Sequence, residues 1–446
     1  MAAHDDCSDR GARSFPERRT DRGAAPGLCA TRPKRRSQCR SPCSSLAVLV
    51  HGLTMRVALL SWDFPPEPTG LGRAASEIAH GLAGHGAEVT VFSADRSGTE
   101  ETAFGRMIGC APAKTGLPAF LRKRAAIGHL VAPAAFASAF RRAHRQTPFD
   151  VIEATNWYAP AAFLTGGSVP LLVRNSTPAA DAFEAQPSPR NRIDNWYAHR
   201  LERQTARRSD ALISNTRPHR QTIVDLYGLP PDDPNHRVVG LSLADDLIAE
   251  GARSKPAPDA AALLFIGRAE RRKGFDALMA AMPLANRKRA ERGEPPLTLH
   301  LVGLSDDEWQ RVRDDLPEDT AKHIVWHGRA DDRTIRRLLG SVAAVVAPSR
   351  YESYGIVYRE AAAFGRPLIA CREDPSARAF LAAVPCGVLA ERCDDTALAD
   401  AIVTALDPAR QADFREAGID HAATLTREAL GAATLAIYRS MLEDGA

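Results

Sequence analysis

No apolar run long enough to cross a bilayer occurs in the 446 residues. The stretch Leu46 to Val50 is far too short for a span, and the polar lead before it does not fit a secretory signal. Nor is one sign of charge in excess over the body of the chain. The net charge of +4 comes from residues 1–54, which hold ten Lys/Arg and five Asp/Glu, and the rest balances 48 basic against 49 acidic residues. A nucleic-acid binder, which needs a basic surface, is disfavoured. Cysteine is sparse: of eight, Cys7, Cys29, Cys39 and Cys43 lie in the opening segment with no histidine at zinc-site spacing, leaving Cys110, Cys371, Cys386 and Cys393. This usage reads as a protein of the reducing cytoplasm without structural disulfides. Residues 1–54, rich in Arg, Ser, Gly, Pro and Cys and lacking apolar periodicity, read as a disordered basic tail. Met55 opens a far better domain, so whether the tail belongs to the native protein stays open.

A length of 446 residues suits two domains of roughly 200. Arg56–Ser61 has the pattern of a buried strand, Trp62–Leu71 is a loop with three prolines and Gly70, Gly72 opens a helix faced by Ala75, Ile78, Ala79 and Leu82, and Glu88–Phe92 is the next strand. This is a Rossmann-like β-α-β opening. Gly70-Leu71-Gly72 would let backbone approach a phosphate or an acceptor, although the three glycines of a dinucleotide fingerprint are absent. Residues 96–147 are poorly patterned and read as helices covering an acceptor side. Strands resume at 150–153, 170–174 and 211–215, the last after a helix over Ile193–Arg208. Proline-rich stretches between Leu229 and Ala262 mark a boundary, placed at 250. The second half alternates short strands (261–266, 297–302, 324–326) with helices (275–282, 308–316, 334–339), as a parallel sheet requires.

The stretch around which the second half is organised is Tyr351 to Glu360. It follows an apolar strand at Ala343–Pro348 and runs into a helix over Ile356–Phe364, which Gly365-Arg366-Pro367 stops before a strand at Leu368–Cys371. A strand-loop-helix of this kind puts the loop outside the carboxyl end of a parallel sheet, where open α/β sheets bind ligands. Unpaired amides over Tyr354, Gly355, Ile356, Val357 and Tyr358 would face a phosphate with the positive end of the helix dipole. Glu352 and Glu360 on either side could accept hydrogen bonds from hydroxyls. Two carboxylates flanking an anion site suit a sugar nucleotide. A second loop, Gly267 to Gly274, carries Arg268 and Lys273, whose cations could reach one diphosphate; Arg271 and Arg272 read as solvated surface.

The E-x7-E spacing of Glu352 and Glu360, with Pro348-Ser349, Tyr354-Gly355 and Arg359-Glu360-Ala361, resembles the signature of family 4 retaining glycosyltransferases, the glycogen-synthase-like group with the GT-B fold. Gly267-Arg268 followed by Lys273-Gly274 completes a second motif of that family, and the resemblance spans about residues 55–440. It implies two Rossmann-like domains facing a central cleft: an acceptor-side domain over 55–250, a nucleotide-sugar domain over 251–425, and a last helix over 426–446 crossing back onto the first. It further implies that Glu352 bonds sugar hydroxyls, Glu360 the ribose, and the intervening amides the sugar and diphosphate, while Arg268 and Lys273 clamp the leaving group. Gly70 and Gly72 would approach the donor, and Gly328 and Arg329 would stand beside the base. The co-substrate expected is a UDP- or GDP-linked sugar, with no other cofactor and no metal; Asp331-Asp332 fits a helix N-terminus instead.

The sharpest departure from the family is at Leu172–Pro178, where Ser176 stands in place of a histidine that reaches the reacting sugar. A serine neither takes up a proton at neutral pH nor carries charge. Three explanations stay open: a donor altered near C6, an acceptor that loses its proton easily, such as a thiol, or a substituted contact such as His199 or Asp194. A small-molecule acceptor in bacterial specialised metabolism, antibiotic biosynthesis for example, is expected alongside the scarcity of lysine beside arginine. A non-catalytic GT-B binding protein and a GT-B epimerase are the alternatives, and oligomerisation is left open.

Overall fold

The computed structural model describes residues 54–446 apart from 67–68, 113–114, 118–119, 121–123, 125–127, 183–187, 258–259 and 445–446. The readings made on the tail fall outside the described residues. From Val57 onward every residue of β1 (Arg56–Ser61) is buried, as expected of a strand covered on both faces. It pairs in parallel with β2 (Glu88–Ser93) and β5 (Val151–Thr155), Val57 lying opposite both Val89 and Val151. The first sheet runs β3 (Thr99–Thr102), β4 (Gly105–Gly109), β2, β1, β5, β6 (Leu171–Asn175), β7 (Ala211–Ser214), β8 (His236–Val238), parallel except between β3 and β4. The second runs β11 (Ile324–Trp326), β10 (Thr298–Val302), β9 (Ala262–Ile266), β12 (Ala344–Val346), β13 (Leu368–Cys371), β14 (Gly387–Ala390), parallel throughout. Strand order reverses between β1 and β5 and between β9 and β12. Ligand crevices open beyond the strand ends at such reversals.

Several expectations are corrected. The region after residue 96 is not all helical: β3 and β4 form an antiparallel edge before the helix Gly128–Gln146. The polar strand Thr-Glu-Glu-Thr is exposed along most of its length, so it carries no apolar alternation to betray it. Residue 250, where the boundary is placed, lies within the helix Asp245–Arg253. That helix packs on Ile356–Ala363 so closely that a Cβ on Gly251 would stand 2.2 Å from the Ala363 carbonyl oxygen. The helix Phe275–Glu291 continues through Pro283, because Leu278, Ala281, Met282 and Ala285 make one buried face across it and burial outweighs a lost backbone bond.

The last helix, Arg427–Asp444, crosses back onto the helix Gly70–Gly84. Gly431 meets Gly81 with no room for a side chain, its Cβ position being 2.2 Å from the Gly81 oxygen. Arg427 forks onto Glu77 with two bonds of 2.7 Å, and Arg174 joins Glu153 (2.6 Å) to Thr434 (3.0 Å). Among the described residues no helix is long and apolar enough to cross a membrane.

Candidate active site

The two motif loops meet beyond the β9/β12 reversal. Gly274 must be glycine: its φ is +69° and a Cβ would lie 2.0 Å from the Pro348 oxygen. This close approach presses the Gly267–Gly274 loop against the loop after β12 and brings Lys273 Nζ onto Glu352 Oε1. Ser349 Oγ donates to the same oxygen at 2.8 Å, and Arg272 Nη1 stands 3.7 Å from the other. Burial would raise the Glu352 carboxyl, but Lys273 and Arg272 outweigh it and hold the group below its ordinary range. Arg272 also donates to the Tyr351 oxygen at 3.1 Å and is 18% exposed, so its reading as solvated surface is corrected. Arg271, 81% exposed, keeps that reading. Of the pair expected to clamp the leaving group, Lys273 stands against Glu352 together with Arg272, while Arg268 is 61% exposed and pairs with Glu270 at 2.7 Å.

Behind Glu352, Asp374 is fully buried. It accepts from the amides of Glu352 (3.1 Å), Ser376 (3.0 Å) and Ala377 (3.1 Å) and from Tyr358 Oη (2.7 Å). Burial lifts its carboxyl to about 6, against the pull of the Tyr358 bond. The helix Ile356–Ala363 begins at Gly355, in the left-handed conformation with φ +74°. The Tyr358 amide bonds the Gly355 oxygen at 3.0 Å, which corrects its reading as unpaired. The Tyr354 side chain turns away from the crevice, its hydroxyl donating to the Leu241 oxygen at 2.7 Å and its ring 3.9 Å below the Arg359 guanidinium. Only its backbone is left to meet a ligand, as with Gly355, Ile356 and Val357.

Glu360 is buried on the first-domain side of that helix and faces Arg73 at 3.4 Å. Burial pushes its carboxyl up and Arg73 offsets part of the shift. Arg73 also bonds Asp332, the first residue of the helix Asp332–Ser341, so one guanidinium bridges the two halves. No sequence pattern singles it out. Gly70 and Gly72 both belong to the first turn of the Gly70–Gly84 helix, capped by Thr69 Oγ1 on the Leu71 amide at 3.2 Å, so the helix takes in Gly70, which the sequence places in the preceding loop, and starts before Gly72. Gly328 lies two residues beyond β11 with φ +65°, its oxygen bound by the Gly303 amide at 2.8 Å, and Arg329 is exposed beside it. Asp331 caps the Asp332–Ser341 helix through the Thr334 amide at 2.8 Å.

Across the crevice, Ser176 is held by Asn156, whose Oδ1 accepts from the Ser176 amide (2.7 Å) and hydroxyl (2.8 Å). Thr177 Oγ1 lies 3.4 Å from Ser353 Oγ, so this loop adjoins Glu352. Of the two substitutes expected for the absent histidine, His199 lies against Tyr227 and Asp194 pairs with His129 at 3.3 Å, while His219 Nε2 stands 3.2 Å from the Ser176 backbone oxygen.

Two sheets of Rossmann order facing each other, joined by a returning last helix, with cations and carboxylates converging where the second sheet reverses, define a GT-B glycosyltransferase. Residues 69–241 match the family model "Glycosyl transferase 4-like domain" and residues 260–408 match "Glycosyl transferases group 1". The chain belongs to the family 4 retaining glycosyltransferases. It is 28% identical to the glycogen synthase of Mycobacterium tuberculosis H37Rv over 71% of this chain and 77% of that one. It is also 28% identical to the D-inositol 3-phosphate glycosyltransferase of Kineococcus radiotolerans, over 88% and 96%. Among solved structures it resembles the sucrose-phosphate synthase of Thermosynechococcus elongatus (21% identity, TM-score 0.68, 87% and 100% coverage). It also resembles Anabaena HepE in complex with UDP-glucose (16%, 0.60, 87% and 99%).

Proposed function

We propose that the protein transfers a sugar from a UDP- or GDP-linked donor to a hydroxyl of a small-molecule acceptor, with retention and without a metal, in bacterial specialised metabolism. The convergence of Lys273 and Arg272 on Glu352, at the mouth of the Gly355-capped helix, carries this reading. As the bond from the anomeric carbon to the phosphate oxygen breaks, negative charge grows on the diphosphate. Lys273 and Arg272, joined by Arg268 swinging from Glu270, stabilise it in a site already organised for charge. The backbone at Gly355–Val357 adds the positive end of the helix dipole. Glu352, kept ionised by its two cations, accepts from sugar hydroxyls, and Glu360 accepts from the ribose. The departing phosphate oxygen, on the face the acceptor approaches, takes the acceptor's proton. Ser176 fills the place of a larger polar group without acting as a base.

The relatives titled glycogen synthase and D-inositol 3-phosphate glycosyltransferase, and the neighbour crystallised with UDP-glucose, support a nucleotide-linked donor. The test is a panel of UDP-, GDP- and ADP-linked hexoses incubated with polyol acceptors, the product's anomeric configuration being read by proton NMR. The proposal expects one uracil or guanine donor and an α-linked product from an α-linked donor. A β-linked product, or no transfer from any nucleotide sugar, would reject it.

A further inference from the structure

Two loops of the first domain that border the crevice are tied to one carboxylate. The helix Pro189–Ala206 buries Ala198, Glu202, Thr205 and Ala206, so a glutamate stands where a core-facing helix carries a large apolar side chain. Glu202 is 1% exposed, and a carboxylate buried that deeply needs strong hydrogen bonds to persist. It accepts the Tyr158 amide at 2.9 Å, the Ala179 amide on both oxygens at 3.1 and 3.3 Å, and the Tyr227 hydroxyl at 2.9 Å. Tyr158 lies in the loop after β5, and Ala179 opens the helical turn Ala179–Ala182 after β6. Both amides stand beyond the sheet ladder, and Glu202 supplies the acceptors that the ladder no longer offers them. It also holds strain. Tyr158 and Ala159 are consecutive non-glycine residues at φ +50° and +46°, a conformation that survives only where the surroundings over-determine it and that concentrates at functional sites.

From Glu202 a directed chain of hydrogen bonds runs to Ser176. The Tyr227 hydroxyl gives its proton to Glu202, which leaves its oxygen to accept from Asn156 Nδ2 at 3.0 Å. Asn156 Nδ2 also donates to the Ser176 backbone oxygen at 3.3 Å, and Asn156 Oδ1 accepts the Ser176 amide (2.7 Å) and hydroxyl (2.8 Å). The two donors and two lone pairs of the amide are all used. Asn156 and Tyr227 are fully buried, so no solvent competes along the chain. A reversed Asn156 would set its amino group against the two donors of Ser176. The Ser176 proton is thereby committed to Asn156 and its oxygen is left to accept, with Thr155 Oγ1 3.3 Å from it. The same loop continues to Thr177, whose Oγ1 stands 3.4 Å from the hydroxyl of Ser353, the neighbour of Glu352.

Resting on the reading of this crevice as a glycosyl-transfer site, we infer that Glu202 is a positioning residue for turnover: acting through Tyr227 and Asn156, it fixes Ser176 and the direction of its hydroxyl bond. The role needs a carboxylate because both oxygens have to accept. A glutamine keeps a single acceptor oxygen. With that oxygen on the Tyr158 amide, its amino group meets the Tyr227 oxygen, and the tyrosine proton is turned toward Asn156, whose amino group cannot take it. Asn156 then either loses Tyr227 or reverses and loses Ser176. Support of this kind keeps a reacting group in one geometry, and it is separable from nucleotide binding, since Lys273 and Arg272 lie on the second domain.

The test uses the full chain as wild type, Glu202→Gln, Tyr227→Phe and Tyr438→Phe. Tyr227→Phe breaks the chain but leaves Glu202 on the Tyr158 and Ala179 amides. Tyr438→Phe is the control, a fully buried tyrosine whose hydroxyl donates to buried Glu153. UDP-glucose and GDP-mannose are supplied with glycerol, and kcat and donor KM are read from nucleoside diphosphate release. UDP and GDP affinity is measured by calorimetry, stability by thermal melts, and exchange of the Ser176 amide by mass spectrometry. The expected kcat is at least tenfold lower in Glu202→Gln and at least fivefold lower in Tyr227→Phe, with nucleotide affinity within twofold of wild type and faster Ser176 exchange in both. Tyr438→Phe is expected to lose stability and keep kcat within twofold. Should Glu202→Gln fail to fold, Tyr227→Phe decides. Unchanged Ser176 exchange or wild-type kcat in Tyr227→Phe, equal kcat losses in Tyr227→Phe and Tyr438→Phe, or a nucleotide affinity that falls in step with kcat overturns the positioning role and leaves the transfer reading in place. A wild type that binds neither UDP nor GDP overturns the transfer reading, and the role in turnover with it.

Discussion

Replacing Arg73 by alanine tests the bridge across the crevice. Its guanidinium lies 3.4 Å from a Glu360 carboxylate that is 6% exposed, and it bonds an Asp332 that is 62% exposed. At an effective dielectric of about 20 a pair at this distance attracts by roughly 5 kcal/mol. That is an upper bound, since Arg73 itself is 32% exposed, water screens the Asp332 arm, and desolvation offsets part of the rest. A loss of about 1–2 kcal/mol at pH 8 is expected. The pH dependence is the sharper signature. Burial already raises the Glu360 carboxyl and Arg73 partly offsets that, so its removal lets the carboxyl rise further. The difference between wild type and Arg73→Ala is therefore present where Glu360 is ionised and fades as the pH falls through its raised folded value. Thermal melts at pH 8 and pH 5 measure it: a deficit of several degrees should shrink at the lower pH. An equal deficit at both, or none at pH 8, would show that Arg73 and Glu360 do not sense one another.

Acid should destabilise the first domain through two buried histidines. His219 and His236 are each pushed down by burial to about 4, so the unfolded chain binds protons that the folded one refuses between about pH 6.5 and pH 4. Asp374, raised to about 6, works in the opposite sense between about pH 6 and its unfolded value near 4, leaving the histidines ahead. The melting temperature should fall on acidification through this window, and a flat profile from pH 7 to pH 4.5 would contradict it. Gly355→Ala has to hold φ +74° with a Cβ 2.3 Å from the Tyr358 ring; a cost of about 2 kcal/mol or more is expected, together with weakened nucleotide binding, and wild-type melting would refute the tight fit. Ser176→His loses the hydroxyl bond to Asn156 and fills the space beside the sugar. A tenfold weaker donor affinity than wild type is expected if a substituent occupies that space, whereas unchanged affinity for every donor tried would point to a conventional hexose.

How much of this was legible in the chain follows from where each signal lies. Buried parallel strands such as Ala262–Ile266 and Arg56–Ser61 announce themselves because both faces are covered and nearly every residue is apolar. The polar edge strand Thr99–Thr102 does not, since neither face is packed. Glu352, Lys273 and Glu360 lie in contiguous motifs whose spacing carries their geometry. Arg73 became visible only when helices distant in sequence faced each other across the crevice. Arg272 is misread because a loop carrying four basic side chains, Arg268, Arg271, Arg272 and Lys273, gives no hint which one turns inward; the press of Gly274 on Pro348 decides it.

The central claim is that the charges gathered at Glu352 hold a nucleoside diphosphate. Calorimetric titration of UDP and GDP into wild type, Lys273→Ala and Arg268→Ala tests it most directly, with Arg271→Ala, 81% exposed, as a surface comparison. One nucleotide should bind the wild type, with affinity at least tenfold lower in Lys273→Ala, equivalent to about 1.4 kcal/mol, a smaller loss in Arg268→Ala and little change in Arg271→Ala. Equal binding by wild type and Lys273→Ala would contradict the claim.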